Sequence, residues 1–68
     1  MLLGGAAVFI CITVKESNDR RVPFWINIEH IMGFQAFDGG SRIHLPDGST
    51  LCSVEPPDEI AGLPGVLL

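Results

Sequence analysis

The chain has 68 residues, 47% of them hydrophobic, and a formal net charge of −4. That length excludes a second domain, and a chain this short buries only about 60% of the surface its unfolded form exposes. Its four cations are Lys15, Arg20, Arg21 and Arg42, too few for a nucleic-acid binder, whose affinity comes mainly from Lys and Arg set against phosphates.

The first twelve residues run Met1-Leu2-Leu3-Gly4-Gly5-Ala6-Ala7-Val8-Phe9-Ile10-Cys11-Ile12. They lack the positive n-region of a signal peptide. The apolar run to Val14 is also short of the roughly 20 residues a membrane span needs. An apolar arm over residues 1–6 followed by a buried strand over about Ala7 to Lys15 is the expected arrangement. Val8, Ile10, Ile12 and Val14 would share one face, and Phe9, Cys11 and Thr13 the other. Both faces are apolar enough to be covered.

Glu16 to Arg21 reads as a polar loop. Pro23 then opens a second strand, Phe24-Trp25-Ile26, because proline suits the start of a strand better than its interior. Asn27 to Ile31 has the spacing of a single helical turn, with Asn27 as cap. Met32 to Phe37 is the third expected strand. Asp38-Gly39-Gly40-Ser41 is a hairpin signal, since glycine takes positive φ without steric cost. Arg42 to Leu45 alternates polar and apolar, as a half-buried strand does. Pro46-Asp47-Gly48 is a turn, and Ser49 to Glu55 the last strand. Pro56 to Gly62 reads as a short helix, with proline and acids at its start and glycine at its end. Residues 63–68 form an apolar tail that should not stand free in water. The sum is one mostly β (α+β) domain over residues 1–68: an antiparallel meander of four or five short strands with one short C-terminal helix.

Phe24-Trp25-Ile26-Asn27-Ile28-Glu29-His30-Ile31, then Phe34, Ile43-His44-Leu45-Pro46-Asp47-Gly48, Glu55 and Ile60 together resemble the small flagellar and swarming-motility protein family of bacteria, which has relatives in phage and mobile elements. The similarity runs from about Val8 to Ile60. It implies a strand-turn-strand β protein with a short closing helix, and it carries no catalytic residue onto this chain.

Candidate chemistry is sparse. Cys11, Cys52, His30 and His44 are metal-ligand types, but no Cys-x-x-Cys or His-x3–5-His spacing joins them, so neither a metal nor a cofactor is expected. Two cysteines in apolar stretches read as free, buried thiols in a reducing cytoplasm. Ser41, His44 and Asp47 supply the residue types of a hydrolytic triad without a nucleophile elbow. Gly39-Gly40 lacks the Lys-Ser/Thr of a phosphate loop. Neighbouring aromatics on a strand face opposite ways, so one of Phe24 and Trp25 should be core and the other free for an interface. Phe34 and Phe37 face the same question.

The candidate binding residues are therefore Arg20, Arg21, Trp25, Arg42 and His44. Surplus apolar surface without a catalytic constellation points to a cytoplasmic, non-enzymatic module that associates with itself and docks on a partner protein. The alternative is a phage-type inhibitor or sponge. It would use the same arginines, His44 and an aromatic between subunits to sequester an anionic signalling nucleotide, or it would block a host defence factor.

Overall fold

The computed structural model describes residues 7–67; the expected arm over residues 1–6, and Leu68, lie outside it. Among the described residues, six strands form one antiparallel sheet: β1 Val8–Lys15, β2 Arg21–Asn27, β3 Gly33–Phe37, β4 Gly40–His44, β5 Thr50–Ser53 and β6 Val66–Leu67. One short helix, α1, spans Pro57–Ala61. The chain is the mostly-β antiparallel meander its turn grammar implies.

Strand β1 is the spine. All of it but Val8 pairs with β2, from Phe9 opposite Asn27 to Lys15 opposite Arg21. On its other side it meets β5 at Val14 opposite Ser53, and β6 at Val8 and Phe9. Strands β3, β4 and β5 follow as consecutive hairpins. The order across the sheet is β2-β1-β5-β4-β3, so consecutive strands β2 and β3 lie at opposite edges.

Strand β2 begins at Arg21, three residues earlier than the sequence suggests, and carries Pro23 inside it. The Glu16 N–H donates to the Arg20 carbonyl. The antiparallel alternation that follows turns residues 21, 23 and 25 towards the free edge. Pro23 thus lacks its N–H where none is needed.

The link to β3 is the expected single turn, a 3-10 turn over Ile28–His30 capped by Asn27, whose Oδ1 accepts from the Glu29 N–H at 3.0 Å. Between β3 and β4 the turn is only two residues, Asp38 (φ 53°) and Gly39 (φ 81°). Those two positive φ values define the tight hairpin whose twist matches the strands. The C-terminal tail contributes β6, a sixth strand that sequence patterning misses because two residues carry no period.

The core is five isoleucines: Ile10, Ile12, Ile26, Ile43 and Ile60. Four lie on the inner face of the sheet, and Ile60 comes down from α1. Val14, Ile31, Leu45, Leu51 and Leu63 pack around them. The core residue of β2 is Ile26, which corrects the expectation for Phe24 and Trp25. Both aromatics are exposed, at 42% and 53%. Phe24 does share a face with Ile26 and Ile12, but it sits on the edge strand, where none of the described residues reaches across to bury it. Phe34 and Phe37, at 38% and 39%, sit on the other edge strand and resolve the same way.

Beside the isoleucines lies a buried polar seam made by Ser41, Ser53 and Glu55. It joins β1 to β4 and β5 where the backbone ladder thins. The Val54 N–H donates to the Thr13 carbonyl at 3.0 Å. The Thr13 N–H in turn donates to both Glu55 carboxylate oxygens, at 3.0 and 3.1 Å. The Ser53 hydroxyl also donates to that carboxylate, and the Ser41 hydroxyl donates to the Glu55 carbonyl at 2.8 Å. Burial pushes the Glu55 carboxyl up, but the Ser53 and Thr13 hydrogen bonds outweigh it and hold the group below its ordinary value.

Candidate functional site

Among the described residues, the sheet has a covered face and an open one. Helix α1 and Leu63 close over the isoleucines on the inner side. The 3-10 turn buries none of its residues. Among the described residues, no helix packs over the outer face, so β1 is covered on one side only. Cys11 and Cys52 point outward there and are half-buried free thiols rather than fully buried ones.

Pairing register fixes which side chains share the outer face. Lys15 lies directly opposite Arg21, and Trp25 opposite Cys11. Because Val14 opposes Ser53 and both face inward, Lys15 and Cys52 both face outward. Cys52 opposes Arg42, and Arg42 opposes Gln35. A row therefore crosses the sheet from Arg21 through Lys15, Cys52 and Arg42 to Gln35. His44 and Phe37 flank its far end, and Trp25 lies four residues along β2 from Arg21.

Four of the five candidate residues, Arg21, Trp25, Arg42 and His44, are thus brought to one surface. Arg20 is not: it stays in the exposed loop, with its N–H held by Asn18 Oδ1 at 3.0 Å. Arg21 leaves that loop for the strand. The Arg42 guanidinium stacks over the Phe37 ring, 3.8 Å from its centroid. The His44 Nε2 lies 3.2 Å from Gln35 Oε1. The triad types do not assemble, because Ser41 is fully buried on the inner face while His44 points outward. Among the described residues, no group of three or more His, Cys, Asp or Glu is placed to hold a metal ion. No helix of the described residues is long and apolar enough to cross a membrane.

A groove of about 500 Å³ opens between the β1–β2 loop and the β3–β4 turn, with Lys15, Arg21, Phe37 and Cys52 among its walls. Its cations do not stand alone. Glu16, Asp19 and Asp38 line the same space, and Lys15 Nζ lies 3.3 Å from Asp19 Oδ1. Arg21 and Arg42 are three strand spacings apart, roughly 14 Å, and Arg21 and Trp25 are separated by about 13 Å along β2. A small anion needs polar groups that converge; these are spread over an area.

Sequence reasoning missed Lys15 and Gln35 as members of this face and Glu55 as the centre of the seam, and it left Phe37 open between core and interface. Parity alone could put Lys15 no further than on the face of Cys11; only cross-strand register shows that it stands beside Arg21. Glu55 gives no sequence signal, because a strand-ending glutamate normally points to water. Compared with protein-family models, with curated proteins and with solved structures, the chain matches none.

Proposed function

We propose that this chain is a non-catalytic, self-associating interaction module that docks the outer face of its sheet on a partner protein and modulates it. The observation that carries this reading is the open face itself. It presents Trp25, Phe37 and Arg42, residue types that concentrate binding energy at protein interfaces, with cations around them and no cover among the described residues. The spread of about 14 Å from Arg21 to Arg42 suits a macromolecular footprint. The position of Ser41, buried away from His44, supports a binding role over a hydrolytic one. The acids in the groove count against a nucleotide sponge, since they would repel the phosphate that Lys15 and Arg21 attract. The family resemblance fits a small docking protein of a bacterium or phage, acting in the cytoplasm.

The test is capture from bacterial lysate with four immobilised chains: wild type, Trp25→Ala, Arg42→Ala and, on the exposed side of α1, Asp58→Ala. A stoichiometric partner retained by wild type and Asp58→Ala, but lost from the other two, supports the reading. A partner retained by all four removes the outer face from it. Binding of cyclic or linear nucleotides to the wild type, with no captured protein, would replace docking by sequestration.

A further inference from the structure

The two edges of the sheet differ in how they are guarded. On β2 the groups turned outward belong to residues 21, 23 and 25. Arg21 carries a charge and Pro23 has no N–H, two devices that discourage another strand from pairing. On β3 neither exists. Its sequence is Gly33-Phe34-Gln35-Ala36-Phe37, without charge or proline. The two-residue turn makes Phe37 and Gly40 the hydrogen-bonded closing pair. By alternation, residues 37, 35 and 33 bond to β4, and the N–H and C=O of Phe34 and Ala36 point out of the sheet. Among the described residues, no turn or loop hydrogen bond reaches either of them.

We infer that the free edge of β3 pairs antiparallel with β3 of a second copy of this chain, about a two-fold axis at Gln35. The inference rests on the self-associating part of the proposed function and names its surface. Chemistry selects the second copy as occupant. Only a register that sets Phe34 against Ala36 of the second copy, and Ala36 against its Phe34, uses all four outward groups of each strand. It gives four hydrogen bonds. That register is also complementary in shape: large faces small at the Phe34–Ala36 pairs. At each end Phe37 faces Gly33 of the other copy, where the space beside the glycine is open. An aromatic ring laid over an edge glycine in this way covers backbone that glycine leaves bare. At the axis Gln35 meets Gln35. Its Oε1 already lies against His44, which leaves the amide N–H groups to donate across.

Charge permits the approach. Each chain carries −4 overall, yet the paired segment carries none, and each Asp38 falls beyond its end, opposite Met32 of the other copy. Met32 is 72% exposed and continues the apolar flank of Phe34 along a groove shared with Ile28, Ile60 and Leu63. The pairing is isologous, so it closes at two copies and does not propagate through β3.

Because Gln35 meets its own copy, charge can be written onto the axis. The experiment is native mass spectrometry, across a dilution series, of wild type, Gln35→Glu, Gln35→Lys and a mixture of the two variants, with circular dichroism to check the fold. Wild type should appear at twice the 7.3 kDa chain mass. Each variant alone should dissociate about fivefold more readily, because like charges directly opposite repel. The mixture should return as a one-to-one heterodimer. If wild type is an oligomer and both variants alone keep that mass, the edge is wrong while self-association stands. If the mixture stays monomeric, the two-fold axis is not at Gln35. A monomeric wild type overturns both the pairing and the self-association. Should a Gln35 variant fail to fold, a synthetic chain with the Ala36 amide N-methylated removes an outward donor without touching β4. It should be monomeric, while the same change at Trp25, on the guarded edge, should leave the dimer intact; a dimer with N-methylated Ala36 would overturn the pairing.

Discussion

The inner and outer faces of the sheet are built from the same strands by strict alternation, yet they do different work. The inward side holds the buried core: four isoleucines of the strands, met by Ile60 from α1, beside a serine-glutamate seam. The outward side includes Trp25 and three of the four cations, which engage little beyond their immediate cross-strand neighbours. A marginal fold concentrates its stability on one face and leaves the other free to meet something else. Substitutions should therefore rank by face, with one exception.

The exception, and the largest expected effect, is Gly40. It follows the outward parity of Arg42 but sits beneath the end of β5. A Cβ there would collide with the Ser53 carbonyl oxygen. Backbone cannot yield as a flexible side chain does, so Gly40→Ala should cost at least about 3 kcal/mol. Stability for a chain of this size is of order 3–10 kcal/mol. Urea titration followed by circular dichroism should show much or all of the folded signal lost in buffer.

Next come the inner isoleucines. Ile12 and Ile43 are both fully buried, and truncating either to alanine should cost about 2–5 kcal/mol, partly from lost transfer and partly from the cavity left behind. The same titration should show the midpoint fall sharply. A shift below about 1 kcal/mol would mean that the isoleucine cluster does not carry the fold.

Glu55 should follow. Glu55→Ala strands the Thr13 N–H and the Ser53 hydroxyl inside the protein, at about 1–3 kcal/mol for each buried group left unsatisfied. The seam also predicts the sign of the acid response. The folded Glu55 carboxyl is held below the ordinary glutamate value, so its contribution is fully present above that ordinary value. It is lost as pH falls through the lower folded value. Thermal unfolding from pH 7 downward should show stability decline once pH drops below about 4.5. Glu55→Gln, less stable at neutral pH, should lose less over that interval.

The smallest effects belong to the outer face. Arg42→Ala removes the stacking on Phe37, worth about 0.5–1 kcal/mol at an exposed site. Trp25→Ala should shift stability by no more than about 1 kcal/mol. If either cost as much as Ile43→Ala, the outer face would be structural and the docking proposal would lose its main support. Retained stability with lost partner capture would separate the two faces cleanly.

Much of this was legible in the chain. Alternation of Val8, Ile10, Ile12 and Val14 identified β1 and which of its residues share a face, because side-chain direction in a strand depends only on parity. It did not show that, among the described residues, only one of the two apolar faces would be covered. Asp38-Gly39, Pro46-Asp47-Gly48 and Pro56 to Gly62 marked two turns and the helix, because positive φ and proline geometry are properties of single residues. Strand ends were less certain. Pro23 suggested a late start to β2, since the sequence could not show that its missing N–H would face an open edge. The exposed fates of Phe24 and Trp25 were equally hidden: parity says they oppose each other, but burial depends on whether another element lies above them.

What the sequence determined by itself is therefore local: which segments extend, where they turn, and which residues alternate. Tertiary structure alone decided strand order and register. Bringing β1 against β5 put β2 and β3 at opposite edges, aligned Arg21, Lys15, Cys52, Arg42 and Gln35 across one face, and buried Glu55 against the Thr13 amide. These outcomes depend on pairing between residues as much as 42 positions apart. Such pairs form when buried isoleucines and backbone hydrogen bonds outweigh the entropy of closing long loops, and no local pattern records them.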